Sequence, residues 1–211
     1  MTEVAGTQAA YSSIAAQYAR KWGGAPAWMV EEVDRLARLL GEGARVADIG
    51  CGPGHHTRVL REHGLQATGF DLSTEMLTAC GIPGLVRADM LALPISTGAL
   101  DGVWSSAALL HIPRSSVPAA LAEFARTLRP GGELVLAVAE GDGEHWETVP
   151  YNVPGQDELR RYYVLHRFAD LSALLEASGF DVYEHWRREM NRQWLHIHAR
   201  RCATPQPARP S

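Results

Sequence analysis

Arg45-Val46-Ala47-Asp48-Ile49-Gly50-Cys51-Gly52-Pro53-Gly54-His55 is the stretch whose reading decides the fold. A short apolar run at 46–49, followed at once by turn residues, reads as a buried strand. Three glycines then make a turn too tight for side chains, and a helical pattern resumes at about Thr57. A strand, a Gly-rich turn and a helix form the first half of a nucleotide-binding α/β unit. Bare backbone at a helix N-terminus lets a polar ligand approach closely.

Spacing narrows the ligand. A dinucleotide fingerprint requires Gly-x-Gly-x-x-Gly, with the third glycine packing helix on strand. Gly50 and Gly52 fit, but the third required position is His55 and Gly54 comes one residue early. Ala67-Thr68-Gly69-Phe70-Asp71 reads as a second strand with an acid at its carboxyl end. In a doubly wound sheet ligands sit beyond those ends, and an acid about 20 residues past the glycines can bind ribose hydroxyls. The plain alternative is that Asp71 caps the next helix, at 73–80, although Ser73 is the better cap by position.

Leu85-Val86-Arg87-Ala88-Asp89-Met90 reads as a third strand ending in an acid. Leu100-Asp101-Gly102-Val103-Trp104-Ser105-Ser106 is a fourth. A helix at 119–128 stops at Arg129-Pro130-Gly131-Gly132, and 133–139 is a fifth strand. Asp-x-Gly-x-Gly-x-Gly after a strand, an acid after each of the next two strands, a Leu-Asp-x-Val strand and Leu-Arg-Pro-Gly-Gly-x-Leu come in one order. Together they resemble class I S-adenosylmethionine (SAM)-dependent methyltransferases, over residues 45–139 and more loosely to 201.

The resemblance implies an α/β, Rossmann-like, doubly wound seven-stranded sheet with helices on both faces, an antiparallel last strand beside the fifth, and an N-terminal helical lid. It implies a SAM site drawn from Tyr18, Asp48, Gly50, Cys51, Gly52, Gly54, Asp71, Leu72, Asp89, Met90, Ser105 and Ser106. There Asp89 would accept from the adenine amino group, Met90 would pack on the ring, and 105–110 would follow the methionine arm. Leu100 stands where the family often has an aromatic residue.

Outside that block, Tyr11, Ile14, Tyr18 and Trp22 share one stripe of a helix at 9–22. This is an amphipathic helix on the core, a lid over the cofactor, or both. Gly23-Gly24-Ala25-Pro26 breaks it, and a second helix runs from Trp28 to a stop at Gly41. Residues 1–40 are therefore expected to form a helical lid and 140–168 an acceptor-covering insertion, all within one domain at 1–201. In the insertion, Arg160-Arg161-Tyr162-Tyr163 reads as a short amphipathic helix. A helix at 171–177 and strands at 180–187 and 193–201 follow. Trp194, His196 and His198 share a face of the last strand. With no third ligand placed in sequence, this is a solvated or packed face, and no metal is expected. The Pro-rich tail 202–211 is expected to be disordered.

The 211 residues, 46% hydrophobic, suit one globular domain. No leader pattern and no apolar run near 18 residues suggest export or a membrane span. Cys51, Cys80 and Cys202 are odd in number and scattered, which points to a reducing cytoplasm. A net charge of −4 without a basic tract disfavours nucleic acid as a partner. The chain is expected to act as a monomer or homodimer on a small-molecule acceptor.

Methyl transfer from a sulfonium is an in-line displacement that needs alignment, desolvation and a free lone pair. A hydroxyl acceptor profits from a general base, whereas a carboxylate or neutral amine needs little help. His55 and His56 open the helix after the glycines and read as local groups. His111 lies just past the fourth strand, with Pro113 favouring an exposed turn. It is the candidate catalytic residue, either taking a proton or orienting the acceptor, and the plain alternative is that it fixes the loop. The expected function is methyl transfer to oxygen or nitrogen of a small molecule. The rivals are a nicotinamide-dependent oxidoreductase, disfavoured by the early glycine, and a SAM-binding module without turnover.

Overall fold

The computed structural model describes residues 2–21, 25–151 and 158–203. Trp22, Gly23, Gly24, Asn152, Val153, Pro154, Gly155 and the tail from 204 lie outside the described residues.

The chain opens with α1 (Glu3–Lys21) and α2 (Ala27–Leu40). It then alternates through β1 (Arg45–Ile49), α3 (His55–Glu62), β2 (Gln66–Asp71), α4 (Thr74–Thr78), β3 (Leu85–Arg87), β4 (Leu100–Ser106), α5 (Val117–Thr127) and β5 (Leu128–Ala139). A hairpin of β6 (Glu144–Thr148) and β7 (Arg160–Val164) precedes α6 (Phe168–Ala177), β8 (Phe180–Glu189) and β9 (Gln193–Arg201). The seven-stranded sheet has the order β3-β2-β1-β4-β5-β9-β8. Strands β1 to β5 are parallel, and β9 enters antiparallel between β5 and β8, as the resemblance implies. The order reverses at β1, so the crevice beyond the ends of β1 and β4 is where a ligand belongs.

Both faces are covered. On one, Leu121 and Phe124 of α5 and Leu171 and Leu175 of α6 pack against Val103, Leu134 and Leu136. On the other, Met29, Val33 and Leu36 of α2 pack against Val46, Trp104 and Val135. Each such buried side chain contributes roughly 1.5–3 kcal/mol. The packing separates α2 from α1: α2 is part of the core, whereas α1 lies across the ends of the strands. Gln8 Nε2 donates to the Leu72 carbonyl, and Ser12 Oγ lies 2.8 Å from Ser73 Oγ. Thr7 Oγ1 accepts from the Tyr162 N–H at 2.8 Å. Helix α1 therefore bridges the loop after β2 and the β6–β7 hairpin.

Ser73 caps α4 by accepting from the Met76 N–H. Two expectations need correction. Residues 160–163 form strand β7, not a helix, because 144–148 supplies a backbone partner and period-two alternation sends Arg161 and Tyr163 to one side. Strand β3 ends at Arg87, and Asp89 instead accepts from the Leu91 N–H at 2.9 Å in a local turn.

Candidate active site

The Gly-rich turn is held by its neighbours. The N–H groups of Gly50 and Cys51 both donate to the Phe70 carbonyl, at 2.7 and 3.0 Å. Gly50 has φ +73°, and a Cβ there would lie 2.1 Å from the Ala108 Cβ, so no side chain fits. Gly52 has φ +54°, but a Cβ would meet nothing within 4 Å. Its backbone faces open space, as a cradle for a ligand requires. Gly54 differs again: a Cβ there would strike Leu85 at 2.8 Å, so this glycine serves packing and stays out of the cavity wall.

A cavity of about 560 Å³ lies against this turn, within the roughly 300–1,000 Å³ range of small-molecule sites. Tyr18, Gly50, Cys51, Gly52, Asp71, Leu72, Asp89, Met90, Ser106 and His111 line it. Asp48 and Ser105 do not. Asp48 is 1% exposed and accepts from Thr57 Oγ1 at 2.6 Å, which ties β1 to α3 beneath the turn. Burial pushes its carboxyl up to about 7. Asp71 accepts from the Gly52 and Ser73 N–H groups, both at 2.9 Å. Burial raises its pKa, and these backbone donors oppose the rise. Each of its oxygens keeps a second lone pair for a ligand hydroxyl. Ala107 has φ +58°, unusual for a residue with a Cβ, and its N–H donates to the Ala137 carbonyl at 2.8 Å.

The far wall belongs to α1 and the hairpin. His111 Nδ1 lies 2.8 Å from the Tyr162 carbonyl, so this nitrogen carries the proton. Its Nε2 lies 2.8 Å from the Tyr11 hydroxyl, which donates to it and accepts from Arg161 Nη1 at 2.9 Å. Burial pulls the imidazole down to about 3, against the carbonyl hydrogen bond, so His111 is neutral. Burial also raises the Tyr11 hydroxyl, against the pull of Arg161.

Tyr11 stood on the sequence stripe that marked the lid. Nothing in the sequence linked Arg161 or Tyr163 to His111, since the tie runs through the register of a hairpin. His55 lies 3.3 Å from the Ala19 carbonyl through Nε2, and His56 accepts from Trp104 Nε1 at 3.0 Å. Neither caps α3: each ties the helix to a distant element, and both touch the cavity. His196 and His198 are buried against Glu32, at 3.1 and 3.3 Å, so their face of the last strand is packed. Among the described residues no group of three His, Cys, Asp or Glu is arranged to hold a metal, and no helix is long and apolar enough to cross a membrane.

A bare glycine backbone, an acid at the end of β2 and a second in the turn after β3 meet on one cavity, at the reversal point of a sheet with one inserted antiparallel strand, which is the class I methyltransferase fold. The comparisons agree. A family profile described as a methyltransferase domain matches residues 47–136. A malonyl-acyl-carrier-protein O-methyltransferase of Laribacter hongkongensis is 35% identical over 201 residues, covering 85% of this chain and 65% of that protein. An O-methyltransferase of Aspergillus nomiae is 28% identical, covering 72% and 73%. The solved structure of the Burkholderia thailandensis 1,6-didemethyltoxoflavin-N1-methyltransferase, with bound 1,6-didemethyltoxoflavin and S-adenosylhomocysteine, matches with a TM-score of 0.72 at 23% identity. That match covers 94% of this chain and 88% of that one. The chain spans about half the length of several curated relatives that it matches. The matched domain, these relatives and the fold support a class I SAM-dependent methyltransferase.

Proposed function

We propose that the protein transfers a methyl group from SAM to an oxygen or nitrogen of a small molecule. The supporting observation is the joint exposure of Gly50, Gly52, Asp71 and Asp89 on one cavity, with Gly52 open toward it. In this reading Asp71 accepts from the ribose hydroxyls and Asp89 from the adenine amino group. Met90 packs on the ring, and Tyr18 closes the cofactor from the lid. Asp48, Gly54 and Ser105 support the turn and strand from behind. SAM, when bound, supplies the activated methyl group.

The chain's remaining work is alignment and exclusion of water. With its lone pair engaged by Tyr11 and its pKa near 3, His111 is a weak base at neutral pH. Its role in this reading is positioning: it holds the Tyr11 phenol toward the acceptor end. His111→Gln and Tyr11→Phe should then each lower turnover while leaving SAM affinity unchanged. The whole reading is tested by titrating SAM, S-adenosylhomocysteine and NADH, and by following S-adenosylhomocysteine release with a panel of phenols, amines and acids. Binding of SAM and release with at least one acceptor are expected. NADH binding without a response to SAM would sink the assignment. The small-molecule acceptor, the cytoplasmic setting and a monomeric or homodimeric state belong to the same reading.

A further inference from the structure

Beside the cavity, on the hairpin side, two cations share a single carboxylate. Glu147 of β6 stands opposite Arg161 of β7 in the hairpin register. Its carboxylate accepts from Arg161 Nη2 at 2.6 Å and from Arg192 Nη2 at 2.8 Å. Two guanidiniums thus share one carboxylate. Both also lie over the Tyr163 ring, at 5.1 and 4.2 Å, and both keep a buried Nε with no partner. The Arg161 side chain is 13% exposed and lines the cavity, which Glu147 does not. The other charged residues on the cavity wall are Asp71 at the end of β2, Asp89 in the turn after β3, and Lys21 on α1. The acids therefore lie on the β2–β3 side, whereas the charge that α1 and the hairpin present is positive. Arg161 lies over Tyr163, which packs with Leu110 and Trp194 into an apolar and aromatic stretch of the wall.

A cation held in an apolar wall by less than its own counter-charge favours an anionic ligand group, and a guanidinium matches a carboxylate through paired donors. We propose that the acceptor is an apolar carboxylic acid whose carboxylate is held by Arg161. This inference rests on the methyltransferase reading and names its acceptor class. Arg161 selects and anchors the acid, with the Tyr11 hydroxyl hydrogen-bonded beside it, and Arg192 keeps Glu147 from cancelling its charge. A phenol or amine without an acidic group would leave that charge unanswered, and so bind weakly.

The test uses the full chain saturated with S-adenosylhomocysteine. Benzoate against benzamide, and octanoate against octanamide, are titrated by calorimetry. In at least one pair the acid should bind tenfold or more tightly than its amide. Arg161→Gln should weaken the acid about ten- to hundredfold, as expected for charge-assisted hydrogen bonds. Amide and S-adenosylhomocysteine affinity should be unchanged, and Arg161→Lys should recover part of the loss. If neither acid binds better than its amide, or if Arg161→Gln keeps the acid-to-amide ratio, the inference is overturned. The ratio in the parent protein decides even if the variant fails to fold. Absence of S-adenosylhomocysteine binding would instead remove the methyltransferase reading, and this inference with it.

Discussion

The cofactor wall of the cavity comes from residues near one another in the chain, whereas the lid wall joins residues 100 and 150 apart. Gly52 and Asp71 are bonded at a separation of 19 residues, across a single strand–turn–helix–strand unit. Tyr11 meets His111 and Arg161 only after α1 has crossed the sheet ends and the hairpin has folded back. The two walls also differ electrostatically. Backbone N–H groups serve the acids on one, and side chains serve each other on the other. A wall set by backbone geometry is constrained by left-handed φ at Gly50 and Gly52, and by contact with Ala108 at Gly50 alone. A wall set by side chains can be rebuilt for a different acceptor while the fold stays intact.

The sharpest way to break this contrast is at the glycines. Gly50→Ala combines an overlap with Ala108, worth about 1–3 kcal/mol, with left-handed backbone strain of about 1–2 kcal/mol. A destabilisation of roughly 2–5 kcal/mol in denaturant melts is expected. Gly52→Ala carries only the backbone strain, since its Cβ has room, and should remain folded while losing cofactor affinity. Equal stability losses at the two positions would show that Gly52 is also a packing glycine.

Acid titration separates the walls by sign. Burial holds His111 at about 3, below its ordinary 6.5, so the unfolded chain takes up a proton that the folded one refuses. The folded state is therefore penalised progressively as pH falls from 6.5 toward 3. Asp48 runs the other way. Raised to about 7 from 3.8, it contributes stability that is present below about 3.8 and is lost as pH rises through 7. At about 1.4 kcal/mol per pH unit, His111→Gln should spare up to about 3 kcal/mol of the parent's loss between pH 6.5 and 4. Asp48→Asn should flatten the opposing trend over pH 4 to 7. Parallel stability curves for parent and His111→Gln would mean that the imidazole is not held neutral by the fold.

A smaller effect is expected at Asp71. Asp71→Ala should weaken SAM by about tenfold to a hundredfold, a loss of roughly 1.5–3 kcal/mol for hydrogen bonds to a charged group. If affinity is unchanged while the fold melts earlier, its work ends with the Gly52 and Ser73 N–H groups.

The sequence by itself determined the sheet, because strand runs, glycine turns and strand-end acids are local signals with fixed periods. Asp71 was legible since it ends β2, whereas Asp89, read as a strand end, lies in the turn two residues past β3. The Ser73 cap was legible because its partner lies three residues away. The antiparallel insertion of β9 came with the family resemblance. Only the tertiary structure decided the cavity wall opposite the glycines. Strand β7 exists because β6 lies beside it, and a five-residue run has no stable local preference to declare in advance. Nothing near Gly54 in the chain announces Leu85, and nothing near Ala107 requires its left-handed backbone. His111 could be read as exposed beside Pro113 until α1 and the hairpin supplied partners for both ring nitrogens. Contacts across 100 residues or more depend on how whole elements pack, and no stretch of the chain encodes them alone.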